Sequence, residues 1–211
     1  MLQSGKASEA RTLCTELCLD NQSDPEAWFL LAAINAQLGL FEETITACNR
    51  VLSLSPRHER ARYNLGVALQ FMGRFDEAAD AYRELITLHP AHSAACNNLG
   101  QVLRKQGKFD QAIDSFETAI AADPGRADFR LNLGLTYLDR GEPDPAASTF
   151  AQILAATPGD YEALNGLGLA RHLQSRHAEA IQYAEQALET RPDYADAHNT
   201  LANILLATGH A

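Results

Sequence analysis

The chain has 211 residues, 46% of them hydrophobic and 21% charged, and its 27 acidic against 17 basic side chains give a formal net charge of −10. This acidic balance argues against a nucleic-acid ligand, because phosphates require a basic surface. No run of 18 apolar residues occurs and the N-terminal segment has no apolar core, so we expect neither a membrane span nor a secretory signal.

One spacing organises the chain. Leucines recur every 34 residues, at Leu31, Leu65, Leu99, Leu133, Leu167 and Leu201. A period of this length is typical of a chain built from copies of one small unit. The same 34-residue step separates the members of five further sets of residues, here called columns. Small residues come directly after each leucine, and a column of glycines, with Ser175 in one repeat, lies eight residues after it. The others are an alanine column, a largely aromatic column and closing prolines at Pro56, Pro90, Pro124, Pro158 and Pro192.

In chain order, this register predicts a partial repeat over residues 1–24, five full repeats and a lone first helix over 195–211. The full repeats are 25–58, 59–92, 93–126, 127–160 and 161–194. No linker interrupts them, so we expect a single domain over 1–211. Each repeat is predicted to hold two helices, with the leucine and its small neighbour on the first helix and the alanine and aromatic columns on the second.

Local signals place the helix ends. Eight residues after each leucine comes a glycine, or Ser175 in one repeat, and the glycines are expected to end the first helix in a left-handed conformation. Asp76, Asp110 and Asp144 are expected to cap the second helices. Pro145 is expected at the first position of its helix, where a missing N–H costs nothing, and Asp24 followed by Pro25 repeats this arrangement in the first full repeat.

These columns resemble the tetratricopeptide repeat (TPR), with its aromatic, Leu-Gly, Ala, aromatic and Pro positions. The resemblance covers almost the whole chain and implies an all-α, right-handed TPR solenoid of antiparallel helix pairs. It implies a non-enzymatic protein-interaction scaffold without a cofactor. Loops such as QFMGRFDEA look similar to those of bacterial repeats.

The cysteines and histidines offer no catalytic or metal-binding set. Cys14 and Cys48 occupy the largely aromatic column, Cys18 occupies a column otherwise filled by leucine and isoleucine, and Cys96 is the fourth cysteine. We therefore expect buried, free thiols rather than metal ligands or disulfides, and these favour a reducing, cytoplasmic location. No metal site is predicted.

By analogy with TPR structures, the second, fifth, sixth, ninth, twelfth and thirteenth residues of each repeat line a concave groove. The residues predicted to contact a protein or peptide there are Phe29, Arg60, Tyr63, Asn64, Val67, Phe71, Asn97, Asn98, Gln101, Arg104, Lys105, Asn132, Leu135 and Asp139. We expect an extended peptide with apolar residues toward the aromatic side chains and an acidic residue near Arg104 and Lys105.

The sixth column carries Asn64, Asn98 and Asn132. A side-chain amide can hold a peptide bond by both its N–H and its C=O. This column resembles the asparagine ladder in the TPR superhelix of O-GlcNAc transferase. The alternative is that asparagine is simply common at this position of TPR sequences.

Chaperone-binding TPR domains clamp a carboxylate with Lys, Asn, Asn, Lys and Arg at set groove positions. Four of the five matching positions here carry other residues, so this mode is not expected; the five are Phe29, Ala33, Asn64, Ala94 and Asn98.

Two other functions stay open. Met1 falls inside a first helix and the last helix keeps an apolar face with Leu201 and Ile204. We therefore expect either a piece of a longer chain or association through the solenoid ends. The alternatives are a substrate-recruiting arm of a larger bacterial glycosyltransferase or sulfotransferase, and a self-assembling scaffold.

Overall fold

The computed structural model describes residues 2–209, with side chains from residue 7 onward. Within this range the chain forms α-helices and no strand. The twelve helices are α1 (Leu2–Asp20), α2 (Pro25–Gln37), α3 (Phe41–Leu54), α4 (Glu59–Phe71), α5 (Phe75–Leu88), α6 (Ser93–Lys105), α7 (Phe109–Ala122), α8 (Ala127–Arg140), α9 (Pro143–Ala156), α10 (Tyr161–Leu173), α11 (His177–Thr190) and α12 (Ala195–Thr208). None of them is long and apolar enough to cross a membrane.

The helices fall into two compact units, which divide between Gln106 and Gly107. In unit 1 each helix from α1 to α6 packs on the next, and the first helices α2, α4 and α6 also contact one another in sequence. Unit 2 repeats this order from α7 to α12, with contacts from α8 to α10 and from α10 to α12. Each unit is therefore a stack of helix pairs whose first helices lie side by side.

The leucine column lies in the core. Leu31, Leu99, Leu133 and Leu167 are buried, whereas Leu65 is half-buried. At about 25 cal/mol per Å² of apolar surface removed from water, such residues supply much of the stability of each repeat.

Glycines beside the leucines allow the close approach of the two helices in a pair. A Cβ atom added to Gly66 would lie 2.6 Å from the ring of Tyr82, and one added to Gly134 would lie 2.6 Å from the ring of Phe150. No real Cβ contact is so short, so the aromatic ring of the second helix occupies the space that a side chain would need.

The predicted left-handed helix ends are confirmed. Five glycines of this column adopt positive φ angles between 71° and 81°: Gly39, Gly73, Gly107, Gly141 and Gly209. Ser175 occupies the same column with φ 61°. The turn after α10 keeps the shape of the others at a cost of roughly 1–2 kcal/mol, because a Cβ is crowded in this region.

The predicted caps of the second helices are wrong. The N-cap residues are Arg74, Lys108 and Glu142, and none of them caps its helix by a side-chain hydrogen bond. The three aspartates instead lie one residue inside the first turn. Pro145 is likewise the third residue of α9, and Pro143 is the first.

The aspartates instead join successive repeats. The side-chain amide of Gln106 donates to Asp76 over 2.9 Å, and that of Gln174 donates to Asp144 over 2.6 Å. The guanidinium of Arg140 donates a hydrogen bond to Asp110 in the same way. Each donor ends the first helix of the repeat that follows, so the pairing is set by the stacking of repeats and is invisible to a local capping rule.

Several first helices carry side-chain caps. Asp24 accepts from the backbone N–H of Glu26 over 2.9 Å with Pro25 at the first position, as predicted. His58 and His92 cap α4 and α6 through Nδ1, which accepts a backbone N–H over 3.1 Å in both cases.

The four cysteines are buried and free, as predicted. Burial raises the pKa of the Cys48 thiol to about 12, so this side chain is a neutral, inert part of the core. Among the described residues no group of three or more histidine, cysteine or acidic side chains could hold a metal ion.

Candidate peptide-binding surfaces

The predicted site residues fall in both units. Those up to Lys105 lie on first helices of unit 1, and Asn132, Leu135 and Asp139 lie on α8 of unit 2. Their burial differs widely. Phe71, Arg60, Lys105 and Asp139 are exposed, whereas the others are half-buried except for two buried side chains, Phe29 and Asn97.

The ring of Phe29 is buried and does not form part of an open aromatic wall, so its contact with a peptide stays a prediction. The ring is 6% exposed and packs against Val51 and Ala61. The guanidinium of Arg60 lies 4.5 Å above the ring centroid and covers it. The surface presented here is therefore the Arg60 cation.

Phe71 is the exposed aromatic side chain of unit 1. Its ring is 70% exposed and stacks on Phe41, with centroids 4.7 Å apart and planes within 3°. Met72 beside it is 42% exposed. These three side chains form an apolar patch at the end of α4, accessible to a partner.

A hydrogen-bonded set, here called the polar cluster, occupies the middle of unit 1. The Asn98 Nδ2 donates to the hydroxyls of Tyr63 over 3.1 Å and of Tyr82 over 3.3 Å. The Tyr82 hydroxyl donates to Gln70 over 3.1 Å, whose amide in turn donates to Gln101 over 3.3 Å. Burial raises the pKa of Tyr82 above its ordinary value, an effect that its bond to Asn98 opposes.

The polar cluster changes the interpretation of the asparagine column. The buried side chain of Asn97 donates to the Asn98 Oδ1 over 3.3 Å. Both donors of Asn98 and one acceptor position are therefore used inside the protein. The role of Asn98 as a rung for a peptide stays a prediction, and its amide can bind a peptide only by breaking these bonds.

Unit 2 contains a cavity of about 380 Å³ on the face of its first helices. Helices α8, α10 and α12 line it together with Tyr194, the residue that precedes α12. The lining residues are Leu131, Leu135, Glu162, Asn165, Gly166, Leu169, Tyr194, Asp196, Asn199, Thr200 and Asn203. All except Tyr194 occupy the second, fifth, sixth or ninth position of a repeat. Of the predicted residues of unit 2, Leu135 lines the cavity, whereas Asn132 and Asp139 do not.

The base of the cavity is apolar and rests on the core of unit 2. A Cβ atom added to Gly166 would lie 2.5 Å from the ring of Phe150, so no larger residue fits at this position. Leu131 and Leu135 pack against the buried cluster around Phe150. The asparagine column breaks at Gly166, where the ring of Phe150 lies close to the backbone.

One polar side chain that lines the cavity has an unpaired acceptor atom. Asn165 is 5% exposed, and its Oδ1 receives no hydrogen bond within the described part of the chain. A buried acceptor left unpaired costs about 1–3 kcal/mol. A ligand that donates to this oxygen would recover that free energy.

Acidic side chains lie at the edge of the cavity. Burial, and next the nearby Asp160, raise the pKa of the Glu162 carboxyl, while Arg191 lowers it. Burial and the charge of Asp196 raise the pKa of the Tyr194 hydroxyl to about 12, so this phenol is neutral and can donate.

Sequence reasoning did not select Glu162, Asp196 or Tyr194. A signal for the two acids was available, because the second position of the repeat is acidic three times in succession, at Asp128, Glu162 and Asp196. No periodic signal marks Tyr194, which lies outside the groove columns.

The Tetratricopeptide repeat family matches this chain in five overlapping segments, over residues 2–59, 48–93, 63–127, 97–160 and 131–195. The chain therefore belongs to the tetratricopeptide repeat family, and its fold class is the all-α TPR solenoid. This fold is that of a protein-interaction scaffold. Among curated proteins, none matches the sequence.

Several solved structures are similar to this chain. YrrB, described as a TPR protein with an unusual peptide-binding site, has a TM-score of 0.74 at 20% identity and covers 88% of this chain and 96% of its own. MamA has a TM-score of 0.73 at 27% identity, covering 78% and 96%. A TPR protein from Parabacteroides merdae has a TM-score of 0.81 at 16% identity, covering 90% and 75%.

Proposed function

We propose that this chain binds an extended peptide segment of a partner protein along the first-helix faces of its repeats. The observation that carries this proposal is the unit 2 cavity, which three successive first helices line with residues from the predicted groove columns. A surface that recurs with the repeat suits a ligand that is itself extended and regular, such as a peptide backbone.

Exposed amides supply the polar contacts. Asn199 and Asn203 are exposed on α12 and line the cavity, and Asn64 is half-buried on α4. Each amide offers one acceptor and two donors to a peptide bond. At roughly 1 kcal/mol net per hydrogen bond, a few such contacts give weak binding, so apolar contacts have to contribute as well.

Phe71 in unit 1 and the leucines of the unit 2 cavity supply those apolar contacts. Burying one such side chain under a ligand contributes on the order of 1.5–3 kcal/mol. Arg104 and Lys105 lie in the last turn of α6, where an acidic residue of the peptide would find two cations. The four buried free thiols suit a reducing, cytoplasmic setting.

A peptide array tests the proposal. An array of acetylated 12-residue peptides of random sequence is incubated with the parent, with Phe71→Ala and with Asn199→Ala/Asn203→Ala. We expect both variants to lose at least about tenfold in affinity for the peptides that the parent selects, because each loses more than about 1.4 kcal/mol of contact.

Leu88→Ala is the matched control, since Leu88 is 39% exposed at the end of the second helix α5 and outside the groove columns. It should bind as the parent does. If all variants select the same peptides with the same strength, the first-helix faces are not the binding surface.

Self-association is the second candidate. Leu13, Leu17 and Leu19 on α1 are between 55% and 63% exposed, an unusual concentration for one helix. Sedimentation of the parent and of Leu13→Ser/Leu17→Ser separates this function from peptide binding. If the parent is a dimer and the double variant is a monomer, self-association is supported. If the parent is a monomer at all concentrations, self-association is rejected.

A further inference from the structure

The unit 2 cavity has the chemistry of a site for a hydrogen-bond donor. Asn165 lines it, and the Oδ1 of this side chain is buried and has no hydrogen-bond partner. The neighbouring sixth-column residue is Gly166, which has no side chain to pair with Asn165. The acceptor is therefore left unpaired, and a donating group that reaches it after a rotation of the Asn165 side chain would remove the penalty of leaving it unpaired.

The charges around the cavity favour a cation. Glu162 and Asp196 line it, and no basic residue does. Asp160 adds negative charge from the N-terminus of α10, where it caps Ala163. Glu162 and Asp196 are exposed, so their attraction for a cation weakens as salt is added.

The nearest cation is held elsewhere. The Arg191 guanidinium lies 4.8 Å from the ring centroid of Tyr161, donates to the Tyr161 hydroxyl and pairs with Asp193 over 3.3 Å. It lowers the pKa of Glu162 from a distance but does not line the cavity. The two cavity carboxylates therefore keep a surplus of negative charge.

The walls fit an aliphatic stem. Leu131, Leu135 and Leu169 line one side of the cavity, and a volume of about 380 Å³ accommodates a single long side chain. Arginine and lysine bury their methylene groups against apolar surface while the charged end reaches polar partners. A guanidinium has five donors in a fixed plane, which suits three separate acceptors better than an ammonium does.

We propose that the unit 2 cavity binds an arginine side chain of the partner peptide, with its guanidinium held by Asn165, Glu162 and Asp196 and its stem against the leucines. This assignment rests on the proposed peptide binding and specifies one residue of the ligand. It makes unit 2 the part of the scaffold that selects a basic residue.

The test uses fluorescein-labelled, amidated peptides Gly-Ala-Leu-Xaa-Leu-Ala-Gly, in which Xaa is arginine, citrulline, lysine or glutamate. Citrulline keeps the size of arginine but has no charge. Fluorescence anisotropy at low and high salt is expected to show arginine binding at least about tenfold more tightly than citrulline, with the difference shrinking as salt screens the charges. Lysine should fall between them and glutamate should be weakest.

Variants locate the effect. Glu162→Gln/Asp196→Asn should bind arginine and citrulline equally, and Asn165→Ala should weaken arginine more than citrulline. Circular dichroism melting of each variant confirms that it is folded. Glu185→Gln, an exposed charge change on α11, is the matched control and should keep the full preference.

Citrulline binding as tightly as arginine, or a preference that survives Glu162→Gln/Asp196→Asn, overturns this inference. Equal or tighter binding of lysine overturns the assignment to a guanidinium. If the arginine preference is absent but Phe71→Ala still weakens peptide capture on the array, the proposed function stands without this site. If no peptide binds the parent in either experiment, both proposals fail.

Discussion

The same repeat positions are filled in unit 1 and open in unit 2. A shift of 68 residues, two repeats, pairs Tyr63 with Leu131, Tyr82 with Phe150, Asn97 with Asn165 and Asn98 with Gly166. In unit 1 these side chains form the polar cluster. In unit 2 Leu131 and Phe150 replace the tyrosines, and Gly166 replaces the asparagine. A cavity lies at this place.

The difference shows that the same helical backbone can carry either a hydrogen-bonded polar cluster or a cavity. Asn97 donates to the side chain of Asn98, whereas Asn165 stands beside a glycine and its Oδ1 is unpaired. The loss of three polar groups leaves both a space and an unused acceptor. A scaffold of repeats can thus open a cavity by replacing a few side chains, without altering its helices.

The largest expected effect comes from the core beneath the cavity. Phe150→Ala should destabilise the protein by about 3–5 kcal/mol, because it leaves a cavity where a fully buried ring packs closely against Gly134 and Gly166. Urea denaturation followed by circular dichroism measures this change.

Leu173→Ala is its control, since Leu173 is 55% exposed in the same unit and its truncation should cost no more than about 0.5 kcal/mol. Equal losses for the two variants would mean that the ring of Phe150 does not support the fold of unit 2.

The next effect comes from placing the unit 1 residue in unit 2. Gly166→Asn introduces a side chain whose Cβ would lie 2.5 Å from the Phe150 ring. We expect a loss of about 1–3 kcal/mol from overpacking, and the new side chain should block the cavity, so that the arginine peptide binds poorly.

Gly159→Asn is the matched control, because no atom lies within 4 Å of the Cβ position at that glycine. Both stability and peptide binding should remain at parental values there. A stable Gly166→Asn variant with normal binding would contradict the close approach of Phe150.

A smaller effect is expected from opening the polar cluster of unit 1. Asn98→Ala removes both donors to the tyrosine hydroxyls and should cost about 1–2 kcal/mol. The thermal midpoint by calorimetry measures the loss, with Asn64→Ala on α4 as the near-neutral comparison. If the two variants melt alike, the hydrogen bonds of Asn98 do not stabilise unit 1.

The smallest effect concerns the thiols, all of which lie in unit 1. Reductant should leave the melting temperature unchanged, and iodoacetamide should label the four cysteines only when unit 1 opens. A mass decrease of about two daltons relative to the reduced chain would instead reveal a disulfide.

The stabilisation that comes from the buried, neutral Cys48 thiol should decrease at high pH. The pKa of Cys48 is raised from 9.0 to about 12 in the folded state, so the unfolded state releases this proton first. The stabilisation from keeping the thiol neutral is complete below pH 9 and is lost as pH rises toward 12. Labelling at pH 8 therefore reports opening, and faster opening is expected only above pH 9.

Much of the fold could be predicted because each column repeats the same structural signal several times along the chain. The glycine column predicted left-handed helix ends that are present at Gly39 and Gly141. The aspartate column was misinterpreted as caps because Asp76 and its counterparts bond to the next repeat, and the local sequence around a helix start contains no information about that partner.

The burial of the candidate site residues could not be predicted from the columns. Groove columns identified the positions that line the cavity, but the columns treat Phe29 and Phe71 alike, and only the packing of Arg60 and Val51 buries the first. Asn98 was similarly grouped with Asn64, although a neighbouring tyrosine from a second helix binds its amide.

The sequence by itself determined the repeat length, the helix pairs and the face on which each column lies, because the 34-residue step and the glycine and proline positions are properties of the chain alone. Tertiary structure decided which members of a column are available to a ligand. Phe150 excludes any side chain at Gly166, and Asn165 is left without a partner. Availability depends on the residues that meet across helices, and these contacts arise only when the repeats stack.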